Sequence, residues 1–277
     1  MLENKSISTT DTNSVPYRVY VPGGNATALV EKLGYTPETR KVINDKIMEK
    51  HSDLVEQVGF VDKTVATPEL MMAGGEFCGN ATRSAAYYYL NGKPGQLKIK
   101  VCGQLVNAGV YENGDAWCEI PLYLGNDQVT YIEEGVYKVK MDGMTTLVVN
   151  EDVSRKYLDD RENIKKHGMD FIHRHHLEEC EAVGVMFLER LPSTIKINPV
   201  VWVKAIDTLF YETACGSGTT ATAMVEAYKT KQDQSLDILQ PSGHRITAQI
   251  VYNEGKVTSA RISGVVETDN CVEEVSF

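Results

Sequence analysis

The chain predicts an α/β (α+β) fold of two pseudo-symmetric domains, each a mostly antiparallel sheet wrapped around a central helix. Three observations carry that expectation. Two segments about half a chain apart copy each other: Glu76-Phe77-Cys78-Gly79-Asn80-Ala81-Thr82 and Thr213-Ala214-Cys215-Gly216-Ser217-Gly218-Thr219. Other matches keep the same order, with a spacing that grows steadily as loop lengths drift between two copies. The helix patterns that follow the cysteines are rich in small residues on most sides, which predicts burial with sheet around them.

Each half reads alike. A β-rich start (residues 17–30 and 137–149) contains the matched segments Gly24-Asn25-Ala26-Thr27-Ala28-Leu29-Val30 and Gly143-Met144-Thr145-Thr146-Leu147-Val148-Val149. A charged, outward-facing helix is expected next, at residues 37–50 and 154–166. A short apolar strand follows, with Glu56 or Glu181 at its start. Then come the Cys-Gly turn, the small-residue helix, and an antiparallel hairpin closed by Glu112-Asn113-Gly114 or Asn253-Glu254-Gly255. Turn residues at 121–125 place the boundary between a domain at 1–122, carrying Cys78, and one at 123–277, carrying Cys215. The last strand is allowed to return to the first domain.

With 277 residues, 42% hydrophobic and 24% charged, the composition is that of a globular protein. A net charge of −10 argues against nucleic acid or an anionic membrane as partner. The start Met1-Leu2-Glu3-Asn4 does not read as a signal peptide. Six cysteines without a secretion signal imply reduced thiols and a cytoplasmic location. Four of them, Cys102, Cys118, Cys180 and Cys271, have no matching partner and read as structural. The cluster His173-Arg174-His175-His176 reads as a solvated surface patch, and no metal site is expected.

The chemistry is expected at Cys78 and Cys215. A cysteine leading into a helix sits in the positive end of the helix dipole, which favours thiolate. Gly79, Asn80, Gly216, Ser217, Gly218 and Thr219 offer helix-terminal N–H groups and close approach for a carboxylate. Two thiols facing each other suit proton removal from one face of a carbon and delivery to the other. That is racemase or epimerase chemistry, and no pyridoxal or other cofactor is evident. Gly24, Asn25, Glu56 and Glu212 complete the set of candidate substrate-binding residues. Glu56 and Glu212 could meet a cationic group, or could simply be satisfied strand and helix ends.

On these motifs the chain resembles the diaminopimelate epimerase superfamily over essentially its whole length. The resemblance implies one cysteine from each domain meeting in a cleft. The family's Glu-Arg pair before the second cysteine is missing. The approach here is Leu209-Phe210-Tyr211-Glu212-Thr213-Ala214-Cys215, which leaves recognition of a second carboxylate without its usual residue. The cofactor-independent histidine racemase branch is more similar, through Glu56-Gln57-Val58-Gly59-Phe60, both cysteine motifs, Glu212 and Gln240-Pro241-Ser242-Gly243. That resemblance implies a free amino acid as substrate, histidine foremost, with Glu56 toward its side chain, and is compatible with a homodimer. Diaminopimelate epimerase and a broad basic amino-acid racemase are the alternatives. A non-catalytic amino-acid-binding protein or thiol redox switch is the rival from another class.

Overall fold

The computed structural model describes residues 14–52 and 54–277; the acidic start at Met1 to Asn4 lies outside them. In the first half, β1 (Ser14–Pro22) and β2 (Ala26–Val30) form a hairpin. Helix α1 (Pro37–Lys50) crosses to β3 (Val55–Val61), which runs parallel to β2. After β4 (Glu69–Met72), α2 (Gly79–Leu90) crosses to β5 (Gly95–Val101), parallel to β4. Strands β6 (Gln104–Val110) and β7 (Ala116–Glu119) complete a meander.

The second half repeats this plan. It runs β8 (Val129–Glu133), β9 (Val136–Met141), β10 (Met144–Val149), α3 (Glu151–Leu158) and α4 (Ile164–Arg174). Then follow β11 (Ala182–Leu191) parallel to β10, β12 (Thr194–Val203), β13 (Thr208–Tyr211) and α5 (Gly216–Thr230). Strand β14 (Gln234–Leu239) is parallel to β12, and β15 (Arg245–Asn253) and β16 (Lys256–Gly264) close the meander. The short β17 (Val266–Glu267) and β18 (Glu273–Ser276) end the chain's pairing.

The equivalences are close. β7 pairs with its counterpart β16, so the two sheets join where the copies meet. β8 flanks β9 in the second half, and the late strand β18 takes the same place beside β1 in the first. Helices α2 and α5 are buried along most of their length, because alanine, glycine, serine and threonine let strands approach from several sides. They share one core cluster; separate clusters lie beneath α1 and beneath α3 and α4.

Helix α1 begins where expected, with Thr36 capping the Thr39 N–H at 3.3 Å and Pro37 in the first turn. The second charged helix differs from the expected 154–166. It is two helices, broken by a 3₁₀ turn at Arg161–Asn163. Asp159, Asp160 and Asn163 are weak helix formers, and the Asp160 carboxylate accepts from Asn163 Nδ2 at 3.0 Å and meets His167 at 3.0 Å. The histidine patch falls at the end of α4. Two of the four cysteines read as structural lie outside the core: Cys102 sits in the exposed β5–β6 turn with φ 50°, and Cys271 is exposed in a loop. Turn chemistry, and not apolar pattern, governs both stretches. Among the described residues no helix is long and apolar enough to cross a membrane.

Candidate active site

Cys78 and Cys215 are the N-cap residues of α2 and α5, with nearly the same backbone (φ −128°, ψ 115° and φ −132°, ψ 111°). Each sulfur accepts a first-turn N–H, from Ala81 at 3.4 Å and from Gly218 at 3.3 Å. Each cysteine carbonyl accepts a threonine hydroxyl four residues on, Thr82 or Thr219, at 2.7 Å. The helix ends also share a floor. A Cβ on Gly79 would lie 2.8 Å from Ile262 Cδ1, and one on Gly216 would lie 2.7 Å from the same atom. Glycine at both places lets both helix ends close onto one side chain.

Both cysteines line a single cavity of about 200 Å³. That is below the range for drug-sized ligands and suits one small metabolite. Met48, Met144, Val201, Val203, Ile206 and Phe210 make its apolar wall. Its charged lining is all acidic: Asp45, Glu56, Glu76 and Glu212, with no lysine, arginine or histidine among the lining residues. Against that, the N–H groups of Gly79, Asn80, Gly216 and Ser217 are first-turn donors without intrahelical acceptors. The cavity thus offers carboxylates for a cation and two helix ends for an anion.

A hydrogen-bond chain runs along one wall. Thr213 donates through its N–H (3.2 Å) and its hydroxyl to Glu56. Asn25 Nδ2 donates to Glu56 Oε2 at 2.6 Å, and Gln57 Nε2 donates to Asn25 Oδ1. The Cys78 thiol donates to Gln57 Oε1 at 3.0 Å. Glu56 and Gln57 are sequence neighbours in a strand, yet both line the cavity. The reason is a bulge: Ala26 pairs with Val55 and Thr27 with Gln57, so Glu56 is left over.

Of the expected residues, Asn25, Glu56, Gly79, Asn80, Glu212, Gly216 and Ser217 border the cavity with the two cysteines. Three do not. Gly24 packs its backbone under Ser242, and its carbonyl lies 2.8 Å from the Thr213 hydroxyl, whose one proton it shares with Glu56. Gly218 is pressed against Met186, where a Cβ would lie 2.2 Å from Sδ. Thr219 is fully buried, bonded to the Cys215 carbonyl and to Gln240. The Asn80 side chain is also turned inward: Nδ2 donates to the Ala214 carbonyl at 3.0 Å and Oδ1 accepts from Arg83 at 2.9 Å. Its amide ties the two motifs together.

Sequence reasoning missed Gln57, Glu76, Arg83 and the positioning role of Gln240, whose Oε1 accepts the Cys215 N–H at 2.9 Å. For Glu76 the available signal was a carboxylate two residues before the Cys-Gly turn.

Electrostatics reverse one expectation. Burial pushes the Cys78 thiol up to about 12 and the Cys215 thiol well above its ordinary value. Glu212, beside Cys215, adds to the rise at both sulfurs. Desolvation by burial and nearby carboxylates therefore outweigh the helix dipole, and both groups rest as thiols. The same burial raises Glu212 to about 8, with Glu56 and Glu76 adding like-charge repulsion, and raises Glu76 as well.

The comparisons with known proteins agree with this architecture. The family model described as the histidine racemase CntK N-terminal domain matches residues 14–270. A histidine racemase from Fusobacterium nucleatum is 27% identical, covering 80% of this chain and 84% of its own. One from Staphylococcus aureus is 25% identical, covering 92% and 95%. Among solved structures, a hydroxyproline epimerase from Agrobacterium vitis superposes with a TM-score of 0.56 at 10% identity, over 95% of this chain and 93% of that one. That last likeness is one of fold. An amino-acid racemase, and hence an isomerase, is the class these relatives support, and the chain belongs to the histidine racemase CntK N-terminal domain family.

Proposed function

We propose that the protein racemises free histidine by a two-thiol, two-base mechanism. The observation that carries this reading is the pairing of Cys78 and Cys215 as equivalent helix caps on one acidic cavity that has no lining cation. The two helix ends hold the α-carboxylate. The carboxylates take the ammonium and the imidazolium, whose positive charge relieves their mutual repulsion. In this reading the domains at 1–122 and 123–277 each bring one thiol, and the reduced state both require is supported by a cytoplasmic setting.

Turnover starts with proton transfer. Glu212 releases its own proton to solvent as the substrate cation enters, and the carboxylate then accepts the Cys215 proton, leaving a thiolate that the helix end favours. The thiolate removes the α-proton, and the electron pair left on Cα delocalises into the carboxylate. First-turn N–H groups stabilise that charge. The Cys78 thiol then delivers its proton to the opposite face, and the thiolate has changed sides. The reverse enantiomer uses the roles exchanged. The apolar wall excludes the water that would quench the base.

The direct test is α-proton exchange in D₂O under reducing conditions, followed by chiral chromatography, with basic amino acids and diaminopimelate as a panel. Histidine is expected to exchange and to yield the opposite enantiomer. Exchange with diaminopimelate alone would move the activity to epimerisation. Folded, reduced protein that exchanges no substrate would sink the reading in favour of a binding protein or redox switch.

Glu76 gives a second expectation. Its Oε2 is sealed from solvent and has no hydrogen-bond partner. Room for it comes from Gly74, where a Cβ would lie 2.4 Å from that oxygen. A partnerless oxygen on a carboxyl that lines this cavity is an acceptor that a substrate N–H can fill. Glu76→Gln is expected to raise KM for histidine about tenfold or more. Steady-state kinetics showing an unchanged KM would remove Glu76 from substrate contact.

A further inference from the structure

Arg83 is the largest fully buried side chain in the described structure, and its position is unusual for a charge. Nη1 donates to the Gly264 carbonyl at 2.9 Å and Nη2 to Asn80 Oδ1 at 2.9 Å, while Nε is buried with no partner. No carboxylate pairs with it among the described residues. Desolvation lowers its pKa to about 10, which still leaves it a cation at neutral pH. Truncation at Gly264 makes space for it: a Cβ there would lie 3.3 Å from Nη1. A buried cation without a counter-charge is strongly unfavourable, and a neutral side chain of similar volume would avoid the penalty.

Its location accounts for it. Arg83 lies one turn behind the N-terminus of α2, and its guanidinium holds Asn80, whose amide reaches the Ala214 carbonyl beside Cys215. The cavity in front carries four carboxylates and no cation. An incoming α-carboxylate finds no cation among the lining residues and has only the two helix ends in its favour. A fixed positive charge behind them, buried and so poorly screened, adds to the dipoles of the helix ends that Asn80 ties together.

We propose that Arg83 is a positioning residue whose buried charge, acting through Asn80 and the paired helix ends, secures the substrate α-carboxylate. This rests on the reading of the cavity as an amino-acid site, and it concerns the carboxylate rather than the side chain. The missing counter-charge is the substrate itself.

The test compares binding of an amino acid with binding of its decarboxylated amine. The pair is histidine and histamine, or the equivalent pair for whichever basic amino acid the wild type exchanges. Arg83→Met is expected to weaken histidine by at least about tenfold and histamine by less than about twofold, and Arg83→Lys to restore most of the loss. If Arg83→Met does not fold, Arg83→Gln and Arg83→Lys carry the same comparison at matched Tm. The ratio of the two affinities is then expected to fall in the Gln variant alone. Equal weakening of both ligands, or an equal fall in the Lys variant, reduces Arg83 to a structural brace and overturns the proposal. Wild-type protein that binds no amino acid of the panel overturns both this and the substrate reading. Wild type that binds histidine, with a ratio unmoved by any substitution, overturns this one alone.

Discussion

Cys78→Ser and Cys215→Ser are each expected to lower the racemisation rate by about 10³-fold or more in both directions. General acid–base groups contribute roughly 10²–10⁴-fold each, and each sulfur must serve once as base and once as acid in a full cycle. Serine fits the same N-cap and can accept the Ala81 or Gly218 N–H, so the fold is retained. A hydroxyl is a far weaker acid than a thiol, so the proton relay stops. The measurement is chiral chromatography of L- and D-histidine reactions, with Tm as the folding control. A serine variant that keeps wild-type turnover would end the two-thiol mechanism while leaving the amino-acid site intact.

The second large effect concerns pH and stability. Glu212 carries a folded-state pKa of about 8 against an ordinary 4.5. Between those values the folded chain keeps a proton that the unfolded chain has released. The stability this contributes is complete below about 4.5 and is lost as pH rises toward 8. The slope approaches 1.4 kcal/mol per pH unit for one such group. Thermal melts of the ligand-free protein are therefore expected to drop by several degrees from pH 5 to 8. Glu212→Gln, neutral at every pH, is expected to flatten most of that decline and to melt higher at pH 8. Histidine should also flatten it in the wild type, since a bound cation holds the carboxylate charged. A Gln variant with the wild-type slope would mean that Glu212 is ionised in the resting site.

What could be read from the chain follows from how local each signal is. A cysteine-glycine step before a run of small residues marks a helix start within a few positions, so both catalytic candidates and both central helices were legible. The register of the copies was legible too, because turns and strands recur in the same order. Glu56 and Gln57 were not legible as a pair. Strand alternation sends neighbours to opposite faces, and only the bulge against β2 turns both inward. Arg83 was silent for a similar reason. An arginine among alanines and tyrosines reads as a solvent-facing helix position until the surrounding strands enclose it. The thiol acidity failed on burial, which opposes the dipole and depends on the whole wall of the cavity.

The pairing of β1 with β18, Ser14 opposite Ser276, also bears on how the protein is made. Sequence-distant pairing slows folding, because loop closure comes before any contact is gained. On the ribosome, β1 emerges well before β18 and is flanked on one side by β2. Its other side waits until the distant strand β18, Glu273–Ser276, has been synthesised. Nascent chains thus carry an open sheet edge while the whole stretch between β1 and β18 is made, a template for pairing with neighbouring chains on the same polysome. Expression yield should accordingly depend more on holdase chaperones and on elongation rate than on the stability of the folded protein.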